Sequence, residues 1–179
     1  MNGKSIHQSG FTLIELLVTL AVVVILVGVA GPAFTDFVKN TQISTQSNNL
    51  MRALNLTRSE AVKRGSQVTL CKSANQTSCI TTGNWEQGWI VFADGNGDGV
   101  IDSGETIIRV QDTLPSGYTV KTGGNFANWV GYLPSGMADG SGPFGNDTFS
   151  ICADNDTNYS RHIVVSIGGR AHLKVGNSC

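Results

Sequence analysis

An acidic stretch between two apolar segments contains the residue types of a calcium-binding loop. From Asp94 to Glu105 the sequence reads DGNGDGVIDSGE, and it matches the template D-x-N-x-D-G-x₅-E at every fixed position. Oxygen ligands at alternating positions, closed by a terminal glutamate, are what Ca²⁺ coordination requires. The candidate ligands are Asp94, Asn96, Asp98, Asp102 and Glu105.

A hairpin without metal explains the same residues. Both flanking segments, GWIVF and TIIRV, are typical of strands, whereas an EF-hand loop lies between helices. Asn, Asp and Gly also suit tight turns in the absence of any ion. The sequence therefore leaves two interpretations open, a calcium loop and a metal-free acidic hairpin, and it favours the hairpin.

Three basic residues near the end of the chain form a second candidate site. Arg170, His172 and Lys174 alternate along a predicted strand, and a period of two places them on one face. A short basic strip of this kind can bind phosphate groups with an affinity that falls with salt. The alternative is a solvated edge strand, on which charges discourage pairing with other strands.

The sequence offers little support for catalysis. No serine or cysteine lies in a recognisable nucleophile motif, and we expect the protein not to be an enzyme. The histidines are His7, His162 and His172. The three tryptophans could form a ligand platform, but packing against the core or a sheet is the more usual role. They are Trp85, Trp89 and Trp129.

The four cysteines predict two disulfide bonds. Their number is even, and disulfides persist in oxidising compartments. Of three pairings we favour a local loop, Cys71–Cys79, and a bond that fixes the last residue, Cys152–Cys179. Zinc is the alternative, but the spacing lacks a C-x₂-C pair.

One long helix is predicted to precede these residues. Between Phe11 and Phe34 the only charged residue is Glu15, and these 24 residues span roughly 36 Å as a helix. That length crosses a hydrocarbon core of about 30 Å, so we predict a membrane span over 11–34. An amphipathic continuation is predicted over 35–64, where Lys63, Arg64 and Gly65 form a stop signal.

The remainder of the chain, 65–179, is predicted to be a single β-rich domain. Twenty-two glycines with only four prolines indicate many turns. We therefore expect an α+β fold in which the long helix packs on an antiparallel β domain. An irregular excursion is expected over Gly123–Asp147. Strands are predicted at Val68–Cys71, Trp89–Ala93, Thr106–Val110, Tyr118–Lys121, Trp129–Leu133, Phe149–Ala153, Ile163–Ser166 and Ala171–Val175.

The start of the chain resembles a known processing site. Residues 1–10 are polar, and the following residues read GFTLIE from Gly10 to Glu15. This segment resembles the site at which type IV prepilins and type II secretion pseudopilins are cut. The resemblance implies that 1–10 is a leader, that a prepilin peptidase cleaves between Gly10 and Phe11, and that the amine of Phe11 is methylated. It also implies that Glu15 pairs with the N-terminus of a neighbouring subunit.

The end of the predicted helix narrows the resemblance. Leu50–Gly65, followed by the strand Val68–Cys71, is similar to the GspH/FimT-type minor pilins, which include the FimU proteins. In FimT-type proteins a C-terminal G-R-x-R motif is associated with DNA uptake, and this chain has part of that motif. This chain reads GRAH over residues 169–172, so His172 replaces the second arginine, and histidine is mostly neutral at pH 7.

The resemblance implies a minor pilin or pseudopilin that helps to assemble or prime a type IV pilus, with other major and minor pilins as partners. The alternatives are a DNA-binding minor pilin for natural transformation and a type II secretion pseudopilin. Lys4 favours a cytoplasmic N-terminus. We therefore expect a single pass through the inner membrane and a periplasmic β domain that later reaches the pilus or cell surface. The formal net charge of −1 provides no global attraction to DNA.

Overall fold

The computed structural model describes residues 10–179, apart from the side chains at positions 29 and 31–33. The predicted leader therefore lies outside the described residues, with the exception of Gly10. The chain divides into two compact units, Met1–Val38 and Lys39–Cys179. Each unit is described by itself.

The first unit contains the beginning of a long helix, α1, which runs over Leu13–Arg64. It begins two residues later than the sequence predicts and ends at the predicted residue. Large apolar side chains in this part of α1 are exposed, for example Ile14 at 66% and Val24 at 70%. Among the described residues, no helix has a stretch that is both long and apolar enough to cross a membrane. The membrane span over 11–34 stays a prediction.

The second unit contains the remainder of α1, and this part is amphipathic as predicted. Ile43, Ser47, Leu50, Leu54 and Ala61 recur at helical spacing and are all fully buried. They form one stripe, and its apolar members pack in the same core as the sheets. Because the buried residues follow the helical period, the contact covers one side of the helix along its length.

The helix ends with the stop signal that the sequence predicts. Arg64 Nε donates to a Glu60 carboxylate oxygen at 2.7 Å, and Lys63 Nζ lies 3.4 Å from the other oxygen. Gly65 adopts a φ of 65°, and its N–H donates to Ala61 O at 3.0 Å. A left-handed glycine at this position satisfies a terminal carbonyl and turns the chain towards the first strand.

Nine strands and a short 3₁₀ helix follow, and every strand pair is antiparallel. A five-stranded sheet has the order β3-β2-β1-β5-β6, and a four-stranded sheet has the order β4-β7-β8-β9. The strands are β1 Val68–Lys72, β2 Trp89–Ala93, β3 Ile107–Gln111, β4 Tyr118–Lys121, β5 Trp129–Tyr132, β6 Ala138–Gly140, β7 Asp147–Ala153, β8 Asp156–Val165 and β9 Ala171–Val175, and the 3₁₀ helix is Trp85–Gln87.

The structure confirms the α+β fold and all eight predicted strands, with two differences. A ninth strand, β6, lies inside the segment expected to be irregular. β8 begins at Asp156 rather than Ile163, because its first half pairs with β7 although its side chains are polar. Neither β6 nor the first half of β8 alternates apolar with polar residues, and that alternation is the signal from which strands are predicted.

Two of the three tryptophans lie in the core, as expected. Trp85 and Trp89 are each 2% exposed, and the ring of Trp85 meets the ring of Phe149 edge to face, with centroids 5.1 Å apart. Trp85 Nε1 donates to Phe126 O at 3.0 Å. Trp129 is half-buried against a second, smaller apolar cluster, formed by Cys71, Ile90 and Phe92.

The disulfide bonds have the pairing that the sequence favours. Cys71 is joined to Cys79, and Cys152 to Cys179. The first bond closes a loop of the five-stranded sheet at the end of β1. The second ties the tail of the chain to β7, in the middle of the four-stranded sheet.

Candidate functional site

Thr12 and Glu15 form a capping box at the start of α1. Thr12 precedes the first helical residue, and its Oγ1 accepts the N–H of Glu15 at 3.3 Å. Glu15 Oε2 in turn accepts the N–H and the hydroxyl of Thr12, each at 2.9 Å. This reciprocal arrangement satisfies donors that a helix start leaves unpaired. The T-x-x-E spacing is visible in the sequence and indicates this cap, in addition to the intermolecular role predicted for Glu15.

The predicted cleavage site lies immediately before this cap. Gly10 and Phe11 are not helical, and Phe11 is 87% exposed. A peptide bond in exposed, non-helical chain is accessible to an enzyme, whereas a bond within a helix is protected by its hydrogen bonds. Cleavage, methylation and the role of Glu15 in pairing stay predictions.

The helix that follows the cap presents apolar side chains in every direction. An exposed apolar surface of this extent indicates a contact with a partner or a lipid phase. The large apolar residues of this surface between the cap and Gly28 are Leu13, Ile14, Leu16, Leu17, Val18, Leu20, Val22, Val23, Val24, Ile25, Leu26 and Val27.

The predicted basic strip, Arg170, His172 and Lys174, lies at the edge of the four-stranded sheet. His172 and Lys174 belong to β9, Arg170 immediately precedes it, and all three are exposed. The residues of β7 and β8 that alternate with this face, such as Phe149, belong to the core. The strip therefore faces outward, as period two requires.

Strand register extends this strip into a polar row across the sheet. Lys174 lies opposite His162 of β8, His162 opposite Ser150 of β7, and Ser150 opposite Lys121 of β4. Adjacent strands are about 4.8 Å apart, so the row places two lysines and a histidine along one line on the outer face. Sequence reasoning could not include Lys121, because it lies about fifty positions before the strip.

The tail of the chain occupies part of this row. Lys121 Nζ donates to Cys179 O at 3.0 Å, and a ring nitrogen of His162 lies 3.1 Å from Ser178 O. The basic strip forms no ion pair among the described residues, because the ion pairs there involve only Lys39, Lys63 and Arg64 as cations. Its charges therefore remain available to an external ligand.

A glycine and an arginine position the strip. Gly169 has a φ of 75°, and a Cβ there would lie 1.9 Å from Gly136 O, so only glycine fits. Arg58 of α1 donates through Nε to Gly136 O at 3.0 Å and through Nη2 to Gly168 O at 3.1 Å. Arg58 thus ties two turns to the helix, and one of these turns leads into Arg170. Sequence analysis missed this role of Arg58.

In the acidic loop, Asp94–Glu105, the first carboxylate is buried and fully engaged. Asp94 is 0% exposed. Its two oxygens accept the hydroxyl of Thr69 at 2.7 Å, the N–H of Gly97 at 2.7 Å and the N–H of Gly99 at 3.0 Å. The side chain therefore shapes the turn and ties it to β1.

The other candidate calcium ligands are also bound by protein donors. Glu105 accepts the N–H groups of Gly95 and Asp102 at 2.8 and 3.0 Å. Asn96 Nδ2 donates to Asp98 and Asp102, each at 3.0 Å. Over residues 10–179 no group of three or more His, Cys, Asp or Glu side chains has an arrangement that could hold a metal ion. These contacts favour the acidic hairpin, and calcium binding stays a prediction.

Comparison with protein families identifies two matching segments. Residues 46–169 match the model of the type II transport protein GspH. Residues 6–31 match the prokaryotic N-terminal methylation motif, which includes Gly10, Phe11 and Glu15. A comparison with curated proteins found no match.

Two solved proteins have a similar fold. One is the type IV minor pilin FimU of Pseudomonas aeruginosa, with 23% identity, a TM-score of 0.56, and coverage of 76% of this chain and 98% of FimU. The other is the minor pseudopilin EpsH from the type 2 secretion system of Vibrio cholerae, with 15% identity, a TM-score of 0.52, and coverage of 75% and 97%. At these identities the likeness establishes the fold alone.

Proposed function

The chain belongs to the GspH family of type II transport proteins and is a minor pilin or pseudopilin, and from this premise we propose how it enters its filament. The observation that carries the proposal is the start of α1. There the methylation motif coincides with an exposed, non-helical Gly10–Phe11 bond, a capped helix and an exposed apolar surface. These are the parts that a helix-to-helix filament contact needs.

Processing is the first step of the proposal. A prepilin peptidase cleaves the exposed bond between Gly10 and Phe11 and methylates the new amine. The N-terminus lies on the cytoplasmic side, in accordance with Lys4 in the leader. The β domain lies on the periplasmic side, and its two disulfide bonds support an oxidising environment.

Assembly is the second step. The apolar side chains of the first unit are removed from contact with water or lipid by packing against the helices of other pilin subunits. Within this apolar contact, Glu15 is the only charge of the segment 11–34. A carboxylate in such surroundings requires a cation, and the amine of Phe11 of a neighbouring subunit provides one. The pair sets the axial position of the subunit.

Two substitutions at Glu15 separate this pairing role from the capping role. Glu15→Ala removes the charge and the carboxylate half of the capping box, but the Thr12 hydroxyl can still accept the N–H of residue 15. Glu15→Gln removes the charge but keeps an oxygen that can accept the Thr12 N–H, since glutamine also completes a capping box. We expect both variants to be cleaved normally, as seen by mass spectrometry, and both to be lost from isolated filaments. Normal incorporation of the glutamine variant would refute the pairing role, and loss of the alanine variant alone would assign the effect to the cap.

We further propose a place in the tip or priming complex of a type IV pilus. A subunit needed for priming affects the number of filaments more than their length. Deletion of the gene is then expected to remove surface pili, and expression of the intact chain is expected to restore them. A deletion strain that keeps its pili but fails to release exported proteins would instead assign the subunit to a type II secretion pseudopilus.

DNA binding by the basic strip is the second candidate function. It is supported by the outward position of the strip and by its lack of ion pairs among the described residues. DNA affinity of the full chain, in a neutral detergent, would be measured over a salt series. Arg170→Ala/Lys174→Ala is expected to abolish binding and its salt dependence. The control is Arg52→Ala/Arg109→Ala, which removes two exposed cations elsewhere. Equal loss in both double variants would exclude a specific site at the strip.

A further inference from the structure

A cavity lies where β1 and β4, from different sheets, end near the 3₁₀ helix. Its volume is about 390 Å³, within the range of small-molecule sites. It is not part of the helix contact, the basic strip or the acidic loop. Most of its lining is polar and includes Lys72, Thr81, Asn84, Lys121, Thr122 and Asn128, while Ala127 lies on its exposed wall.

The distinctive group in this cavity is Lys72. The residue is only 4% exposed, although it carries an ammonium group. Its Nζ donates one hydrogen bond, to Gly83 O at 2.9 Å. An ammonium has three donors, so two remain beyond this bond. Among the described residues Lys72 has no ion pair within 4 Å, because the salt bridges there involve other cations.

Such a cation is costly unless it has a further partner. Burial lowers the pKa of Lys72, and the more distant carboxylate of Glu86 acts in the opposite direction. Glu86 is itself engaged, since it accepts the N–H of Val120 and the side-chain amide of Asn84. A buried charge without a full set of partners destabilises the fold. An anion in the cavity would supply the missing partner through a charge-assisted hydrogen bond.

The walls of the cavity are held in place from both sides. On one side, the Cys71–Cys79 disulfide bond and the hydrogen bond from Ile80 N to Lys72 O at 2.9 Å hold the loop after β1. On the other side, the carboxylate of Asp147 accepts the N–H groups of Gly123 and Phe126 at 2.9 and 2.8 Å. A site whose walls are held before binding loses less conformational entropy when a ligand binds.

We propose that this cavity binds a small polar anion whose carboxylate or phosphate group contacts Lys72 Nζ. Lys121 adds a second positive charge at the rim. Its Nζ contacts Cys179 O, so the tail of the chain lies beside the opening. The hydroxyl and amide groups of Thr81, Asn84, Thr122 and Asn128 suit a hydroxylated scaffold such as a sugar acid. A minor subunit with such a site would carry a binding function in addition to its role in assembly.

Calorimetric titration of the full chain, in a neutral detergent at low salt, tests the proposal. The probes are glucuronate for the carboxylate arm, inorganic phosphate for the phosphate arm, and glucose as the neutral match of glucuronate. We expect one or both anions to bind saturably with a Kd of about 1 mM or tighter, and glucose to bind at least tenfold more weakly. Whichever anion binds identifies the headgroup that the site accepts.

Three variants locate the binding. Lys72→Met removes the charge but keeps the length of the side chain. Ala127→Leu places a larger group on the exposed wall of the cavity and leaves Lys72 intact, so it decides the matter if the methionine variant does not fold. Each is expected to weaken anion binding at least tenfold. Lys174→Met, at the exposed basic strip, is expected to change nothing.

Three outcomes would overturn the proposal. The first is anion binding that persists in folded Lys72→Met or in Ala127→Leu. The second is glucose binding as tight as that of glucuronate, which would remove the role of the charge. The third is the absence of saturable binding of either anion below about 10 mM.

Discussion

The acidic loop and the basic strip are both charged segments beside edge strands, yet their charges have different surroundings. In the loop, the oxygens of Asp94 and Glu105 accept five hydrogen bonds from protein donors. In the strip, the charges of Arg170 and Lys174 face outward without an ion pair in the described structure. A motif with the residue types of a metal site therefore stabilises the fold instead when its polar atoms already have protein partners.

The largest expected effect is the loss of Asp94. Asp94→Ala leaves the hydroxyl of Thr69 and the N–H groups of Gly97 and Gly99 without their acceptor. Each buried donor that loses its partner costs about 1–3 kcal/mol, so we expect a loss of about 3–5 kcal/mol in the free energy of unfolding. Denaturant unfolding measures it. Asp98→Ala, at an exposed position, is the control and is expected to cost less than about 1 kcal/mol. Equal effects would contradict the structural role of Asp94.

A smaller effect is expected for the turn that positions the strip. Gly169→Ala combines a positive φ with a clash against Gly136 O, and we expect a cost of about 3 kcal/mol. Gly104→Ala is the matched control, because Gly104 also has a positive φ, 97°, but nothing within 4 Å of its Cβ position. Backbone strain alone is expected to lower the free energy of unfolding of Gly104→Ala by about 1 kcal/mol. Equal melting temperatures for the two variants would show that the clash with Gly136 O does not destabilise the protein.

A pH dependence of the free energy of unfolding is expected from buried Lys72. Because the pKa of Lys72 is lowered in the folded state, the unfolded chain binds the proton more tightly. Stability attributable to this group therefore rises as pH increases from the folded pKa towards the unfolded value of about 10.4. Subtracting the stability curve of Lys72→Met from that of the native chain isolates this rise. A difference curve that stays flat over this pH range would contradict the assignment to Lys72.

The smallest effect is expected from calcium. Because the oxygens of the acidic loop already have protein donors, we expect 1 mM Ca²⁺ to shift the melting temperature by less than about 1 °C relative to Mg²⁺. Differential scanning calorimetry of the native chain measures the shift. A calcium-specific rise of several degrees that disappears in Asp98→Asn/Asp102→Asn would restore the calcium interpretation.

Several features of the fold could be predicted because they depend on local patterns. The apolar positions Leu50, Leu54 and Ala61 follow the helical period, and the cations before Gly65 mark the end of the helix. The eight predicted strands combine apolar or alternating residues with flanking turn residues. β6 and the polar half of β8 could not be predicted, because neighbouring strands rather than their own side chains hold them in the sheets.

The residues of the candidate sites likewise divide into those that a local sequence pattern reveals and those that it does not. Gly10, Phe11 and Glu15 were identified because their motif is contiguous, and even the Thr12 cap has a readable spacing. Arg58 and Lys72 carried no signal, because their partners lie far away along the chain or are backbone carbonyls. A carbonyl partner leaves no trace in the residue types of a sequence.

The long helix, the positions of eight strands along the chain, the cysteines available for pairing and the processing motif follow from the sequence alone, because each depends on residues that are close along the chain. Which charges have partners follows only from the folded structure. It placed Thr69 and two backbone N–H groups around Asp94, aligned Lys121 with the row that leads to Lys174, and buried Lys72 in a cavity. Whether a charged group has a partner depends on which distant segments the sheets bring beside it, because its hydrogen bonds reach only about 3 Å.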